Sequence, residues 1–83
     1  MLTEADVRKA LRETIRSDKV NAWDKDFDFR KGGTLDSLDH VTFILRLSED
    51  HGIAVRDEEI DKLTSIQAVL DFAADKKTGQ GRG

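Results

Sequence analysis

The chain of 83 residues has no cysteine and no proline, and its aromatic residues are one tryptophan and four phenylalanines. Without cysteine, neither a disulfide framework nor a thiolate-ligated zinc site can supply the stability a small domain lacks, so helix packing must supply most of it. No repeat or proline-rich linker divides the chain, and its length suits one small domain with a thin core. Basic charge is in deficit: 14 Lys and Arg stand against 17 Asp and Glu, for a net charge of -3. A nucleic-acid partner is therefore not expected, because phosphate backbones demand a basic surface. Long apolar runs are missing too. No stretch approaches the roughly 20 apolar residues of a membrane span, and the opening MLTEADVRKAL places acids where a signal peptide needs a positive flank. A monomeric cytoplasmic protein with no membrane association is the expectation.

What is present is helical periodicity. Val7, Ala10, Leu11 and Ile15 recur at spacings of three and four between Thr3 and Arg16, with Thr3 placed to cap and Asp6 to complete a capping box. The pattern fails from Ser17 to Leu35, where Trp23, Phe27 and Phe29 are scattered among charges and Gly32-Gly33 breaks the chain. That predicts a long loop pinned by its aromatics. A second helix is predicted over Asp36 to Asp50, with Asp36 as N-cap, Asp39 at the third helical position and Gly52 as the stop. On the helical wheel Leu38, Val41, Phe43, Ile44, Leu45 and Leu47 form a broad apolar arc, while Asp39, Thr42, Arg46, Glu49 and Asp50 lie opposite. Such an arc predicts burial against several neighbours. A brief helical turn is expected from Asp57 to Ile60, then a last helix capped by Thr64 with Ile66, Val69, Leu70 and Ala73 inward. Residues 76–83, KKTGQGRG, read as a disordered tail, which leaves a domain over 1–75.

Most familiar chemical motifs fail on spacing. Asp24, Asp26 and Asp28 resemble the first half of a calcium loop, but Phe29 stands where that loop needs glycine and Leu35 where it needs a bidentate glutamate. His40 and His51 miss the i, i+4 spacing of a helical zinc pair, so no metal ligands are assigned. There is no glycine-rich phosphate loop and no Gly-x-Ser-x-Gly elbow. Self-contained catalysis is not expected.

The stretch TLDSLDHV, Thr34 to Val41, is more informative. Asp36-Ser37-Leu38 at a helix start is by itself a capping signal. A hydroxyl at the first helical position, however, also stands where free backbone N–H groups and the helix dipole favour a phosphate. Ser37 lies at the mouth of the apolar arc, beside Val41 and Ile44.

From the first helix to about Ala74 the sequence resembles the acyl carrier proteins. The resemblance is carried by Asp36-Ser37-Leu38 with Val41, Phe43, Ile44, Leu45 and Leu47 following it. Asp28-Phe29, Val55 before Asp57-Glu58-Glu59, and Leu63-Thr64-Ser65-Ile66-Gln67-Ala68 match at corresponding distances from the serine. It implies an all-α fold, a four-helix bundle with a long first loop and a short third helix. It also implies that Ser37 carries 4'-phosphopantetheine, delivered from coenzyme A by a separate magnesium-dependent phosphopantetheinyl transferase, with Asp36 and Leu38 beside the attachment point. The chemistry would then belong to the cofactor and to acyl-loading and acyl-transferring enzymes, not to the chain itself.

Partners would meet the second helix at Asp39, His40, Thr42, Arg46 and Glu49. Here the sequence departs from the glutamate-rich helix of lipid-synthesis carriers, since Thr42, Arg46 and Ser48 replace acids or neutral residues and His40 is added. Docking by charge should be weaker, which points to a dedicated set of enzymes. Gly33-Thr34-Leu35 replaces the familiar Leu-Gly pair, and His51 replaces a usual aromatic. Fatty acid, lipid or polyketide synthesis is the leading expectation. An aminoacyl or peptidyl carrier with the same arm, and a helical interaction module that never receives it, are the alternatives.

Overall fold

Thr3 starts the first helix as read from its sequence: its Oγ1 accepts from the Asp6 amide at 3.2 Å, and the Asp6 carboxylate accepts from the Thr3 amide at 3.0 Å. In this computed structural model, which describes residues 2–31 and 34–80 apart from the side chains of 76–80, helix α1 is Glu4–Ile15. Helix α2 is Ser37–His51, α3 is Asp57–Ile60 and α4 is Ile66–Gln80. All regular structure among the described residues is helical, as the periodicity predicts. α1 packs on α2 and α4, and α3 on α2. No helix among the described residues is long and apolar enough to cross a membrane.

The region after α1 is more ordered than a pinned loop. Asp18–Ala22 forms a 3₁₀ turn that buries Val20. Arg8 holds it from α1, donating to the Val20 carbonyl at 2.7 Å and the Trp23 carbonyl at 2.8 Å while its Nε pairs with Glu4. The aromatics then do pin the chain, as expected. Trp23 packs on Phe27 with ring centroids 4.9 Å apart, and Phe29 meets Phe43 of α2 edge-on at 5.6 Å. The backbone is tied as well: the Phe29 amide donates to the Thr64 carbonyl, the Leu35 amide to the Phe29 carbonyl, and the Gln67 amide to the Lys25 carbonyl. These bonds fix the segment that leads into α2. The Gly32-Gly33 break lies outside the described residues.

Two boundaries move. Ser65, not Thr64, caps α4, its Oγ accepting from the Ala68 amide at 3.1 Å. Thr64 instead offers its carbonyl to Phe29, so its place is in the connection. α4 extends to Gln80, within the segment expected to be a tail, and residues 81–83 lie outside the described residues.

The core differs in one respect that matters for function. α2 turns His40, Phe43, Ile44 and Leu47 inward, at i, i+3, i+4 and i+7. Leu38, Val41 and Leu45, expected inside, are 73%, 37% and 55% exposed. At about 100° per residue these three form a second stripe roughly 140° from the buried one. The six apolar residues thus divide between a core face and a surface face, and a histidine completes the core face.

Candidate functional site

Asp36 fixes the geometry of the first turn of α2. Its Oδ1 accepts from the Asp39 amide at 2.8 Å and its carbonyl from the His40 amide at 2.9 Å, the capping role expected of it. Ser37 is thereby placed at the first helical position with an exposed side chain. Leu38 is exposed beside it. Helix polarity adds partial positive charge at this end, where the first amides lack intrahelical acceptors.

A residue the sequence reading did not single out completes the site. Arg30 reaches across from the loop, its Nη2 donating to Ser37 Oγ at 3.4 Å and its Nη1 bonded to His40 Nδ1 at 2.9 Å. The Arg30 main chain is held by its own turn, with its amide donating to Asp28 Oδ1 at 2.9 Å. Asp28 therefore closes a turn and also takes the Lys31 amide. Asp24 and Asp26 are exposed, and no group of three or more potential metal ligands gathers among the described residues. Periodicity could not have found Arg30, because it lies in a loop seven residues before Ser37. The turn at Asp28, not a helical spacing, brings its backbone to the site.

His40 corrects an expectation. The resemblance places it among the residues that meet partners, yet its side chain is completely buried. Its Nε2 bonds to the Leu63 carbonyl at 2.7 Å, and its ring packs edge-on against Phe29 with centroids 5.7 Å apart. A carbonyl only accepts, so Nε2 carries the hydrogen and Nδ1 of the neutral ring is the acceptor that faces Arg30. Burial pushes the His40 pKa below the ordinary 6.5; the Leu63 bond pulls the other way, and the Arg30 charge adds to the lowering. The i, i+3, i+4, i+7 spacing with Phe43, Ile44 and Leu47 is the available signal, obscured because histidine is a polar residue in an otherwise apolar stripe.

The other partner-facing expectations divide. Thr42 and Glu49 are exposed and Asp39 is half-buried. Arg46 leans onto α1, where its Nη1 lies 3.6 Å from Glu13 Oε1, so part of its charge is committed within the fold. Its Nε is buried with no hydrogen-bond partner among the described residues. His51 is exposed at the end of α2.

A family model described as "Phosphopantetheine attachment site" matches residues 5–73, a span from α1 into α4 with the Ser37 site inside it. An acyl carrier protein of Thermosynechococcus vestitus is 49% identical over 41 residues, 49% of this chain and 51% of that protein. An acyl carrier protein of Rubrobacter xylanophilus is 36% identical over 50 residues, 60% of this chain and 62% of that protein. The chain thus spans about half to three-fifths of the length of these curated relatives. No solved structure matches it at a comparable level. With a family match covering most of the chain, a helical bundle, and an exposed serine in the first turn of α2 just after its N-cap Asp36, the chain belongs to the phosphopantetheine-attachment family of the acyl carrier proteins.

Proposed function

We propose that Ser37 is the hydroxyl esterified by 4'-phosphopantetheine, and that the chain is a cytoplasmic acyl carrier serving enzymes of fatty acid, lipid or polyketide synthesis. The observation that carries this reading is the exposed Ser37 Oγ in the first turn of α2, beside the Arg30 guanidinium. The residues present fit a phosphodiester: a cation and the positive end of a helix both favour the anion. When bound, the arm would supply a thiol that holds cargo as a thioester. Asp36 holds the turn that presents Ser37, and the exposed Leu38 lies where a transferase must approach. Tethering raises the effective concentration of a cargo at each partner enzyme. Neither His40 nitrogen is available to Ser37 as a base, since one binds Leu63 and the other Arg30. This supports a carrier, not an enzyme acting through that serine.

Incubation with coenzyme A and a broad-specificity phosphopantetheinyl transferase should add one phosphopantetheine per chain, located on Ser37 by mass spectrometry. Ser37→Ala should remain folded and unloaded. A folded wild-type protein that gains no mass would leave the reading of an unmodified helical module.

A second cargo class has its own support. The exposed face of α2 presents Leu38, Val41, Thr42 and Leu45 instead of a run of carboxylates, and its one arginine is engaged by Glu13. Such a surface suits dedicated partners recognised by shape, as in aminoacyl or peptidyl carriers. Mass spectrometry of protein isolated from its own host separates the two: acyl thioesters favour the first reading, aminoacyl thioesters the second.

A further inference from the structure

We propose that Arg30 is the residue that binds the phosphodiester on Ser37, and that the buried His40 is the positioning residue that aims it. This rests on the reading of Ser37 as the attachment point and adds to it a specific anion ligand.

The arginines of the fold differ in what they face. Arg8 pairs with Glu4, Arg46 with Glu13 and Arg56 with Glu58. Arg30, like Arg12 and Arg16, has no carboxylate in ion-pair contact among the described residues, but of these three it is the one that lies against Ser37. Its guanidinium spans two neutral groups, the His40 ring at 2.9 Å and the Ser37 hydroxyl at 3.4 Å. An arginine cannot shed its proton, so the charge persists at all working pH values. The bond to the hydroxyl is long, since charge-assisted bonds to anionic oxygen close to about 2.7–2.9 Å. A phosphoryl group esterified to Ser37 Oγ would carry its anionic oxygens on phosphorus, one bond beyond the oxygen to which Nη2 already donates. The fork geometry of arginine matches two such oxygens, which an ammonium would not.

The guanidinium is held in place before any anion arrives. Its backbone amide is fixed by Asp28, and the preceding residue Phe29 is bonded through its amide to Thr64 and through its carbonyl to Leu35. At the other end His40 cannot rotate to release Arg30 without giving up the Leu63 carbonyl and its edge contact with Phe29. The ring is fully buried, and in its neutral form it offers one acceptor, which faces Arg30. His40 thus sets the direction of a charge whose other end meets Ser37. Preorganisation of this kind limits the entropy lost when the anion is bound.

The test compares unloaded and loaded protein for wild type, Arg30→Gln, Arg30→Lys and His40→Phe, with loading checked by mass. The folding equilibrium constant of wild type should rise about tenfold on loading, the size of one charge-assisted hydrogen bond at a partly exposed site. Arg30→Gln should lose that rise to within a factor of about two, and Arg30→Lys should keep part of it. His40→Phe retains the arginine and most of the ring shape but removes the acceptor; its loaded-minus-unloaded difference should shrink as in Arg30→Gln. A purely structural role for His40 would instead lower both forms alike. A readout without variants is the Arg30 side-chain N–H resonances, expected to move on loading together with a displaced phosphorus resonance relative to the unfolded loaded chain. Equal gains on loading in wild type and Arg30→Gln, or unmoved Arg30 resonances, would overturn this assignment while leaving attachment at Ser37 intact. Absence of any mass gain would instead remove the attachment reading itself.

Discussion

At the residue scale His40 decides between two accounts of α2. A histidine on a docking face would be dispensable for folding, so His40→Ala would change stability by less than about 0.5 kcal/mol, as at exposed sites. A buried histidine bonded at both nitrogens behaves otherwise. Its removal leaves the Leu63 carbonyl without its donor, empties space beside Phe29, and releases Arg30. We expect His40→Ala to cost about 2–4 kcal/mol, combining a cavity with an unsatisfied buried acceptor. Glu49→Ala, on the exposed side of the same helix, should stay within about 0.5 kcal/mol. Urea unfolding of the two variants checks this, and similar midpoints would return His40 to the surface.

At the element scale α2 carries two apolar stripes with different duties. Phe43, Ile44 and Leu47 are buried in the core, whereas Leu38, Val41 and Leu45 face out on the side away from it. Val41→Ser and Leu45→Ser should therefore alter stability by less than about 1 kcal/mol, while Phe43→Ala should cost about 3–5 kcal/mol. If the outer stripe meets partners, those same serine variants should be loaded by the transferase with lower kcat/KM despite an intact Ser37. Loading at the wild-type rate would remove the stripe from the docking surface.

Sequence periodicity was sufficient for the starts of α1 and α2, because Thr3 and Asp36 cap locally and their bonds span only three residues. Gly52 likewise ends α2 in the left-handed region at φ 66, as expected of a glycine stop. It was insufficient for the two stripes, since a wheel shows how wide an apolar arc is but not where neighbouring helices stop covering it. Ser37 was legible from its motif. Arg30 was not, because its position depends on contacts among Asp28, Phe29, Thr64 and Leu35 that no local pattern encodes.

At the scale of the whole molecule, the buried ring links stability to pH. His40 has a folded-state pKa below the ordinary 6.5, chiefly through burial, so between that lowered value and about 6.5 the unfolded chain binds more protons than the folded one. Stability therefore falls as pH drops from about 6.5 and levels off below the folded value, with a slope of at most about 1.4 kcal/mol per pH unit. Asp6 acts in a separate, more acidic window. The Thr3 amide and hydroxyl hold its carboxyl below 3.8, with a small contribution from His51, so its contribution is present above 3.8 and is lost as pH falls through the lowered value.

The His40 window also reaches the Ser37 site. Arg30 faces the ring directly, and the charges of Asp28 and Asp61 act on it in the opposite sense. Protonation places a hydrogen on Nδ1, opposite the Arg30 N–H, so two donors confront each other and the charge beside Ser37 loses its anchor. Urea midpoints measured from pH 8 to pH 5 should decline for wild type and remain nearly level for His40→Gln, which keeps a donor and an acceptor but has no proton to gain. Parallel declines in both proteins would assign the pH dependence to groups other than this histidine.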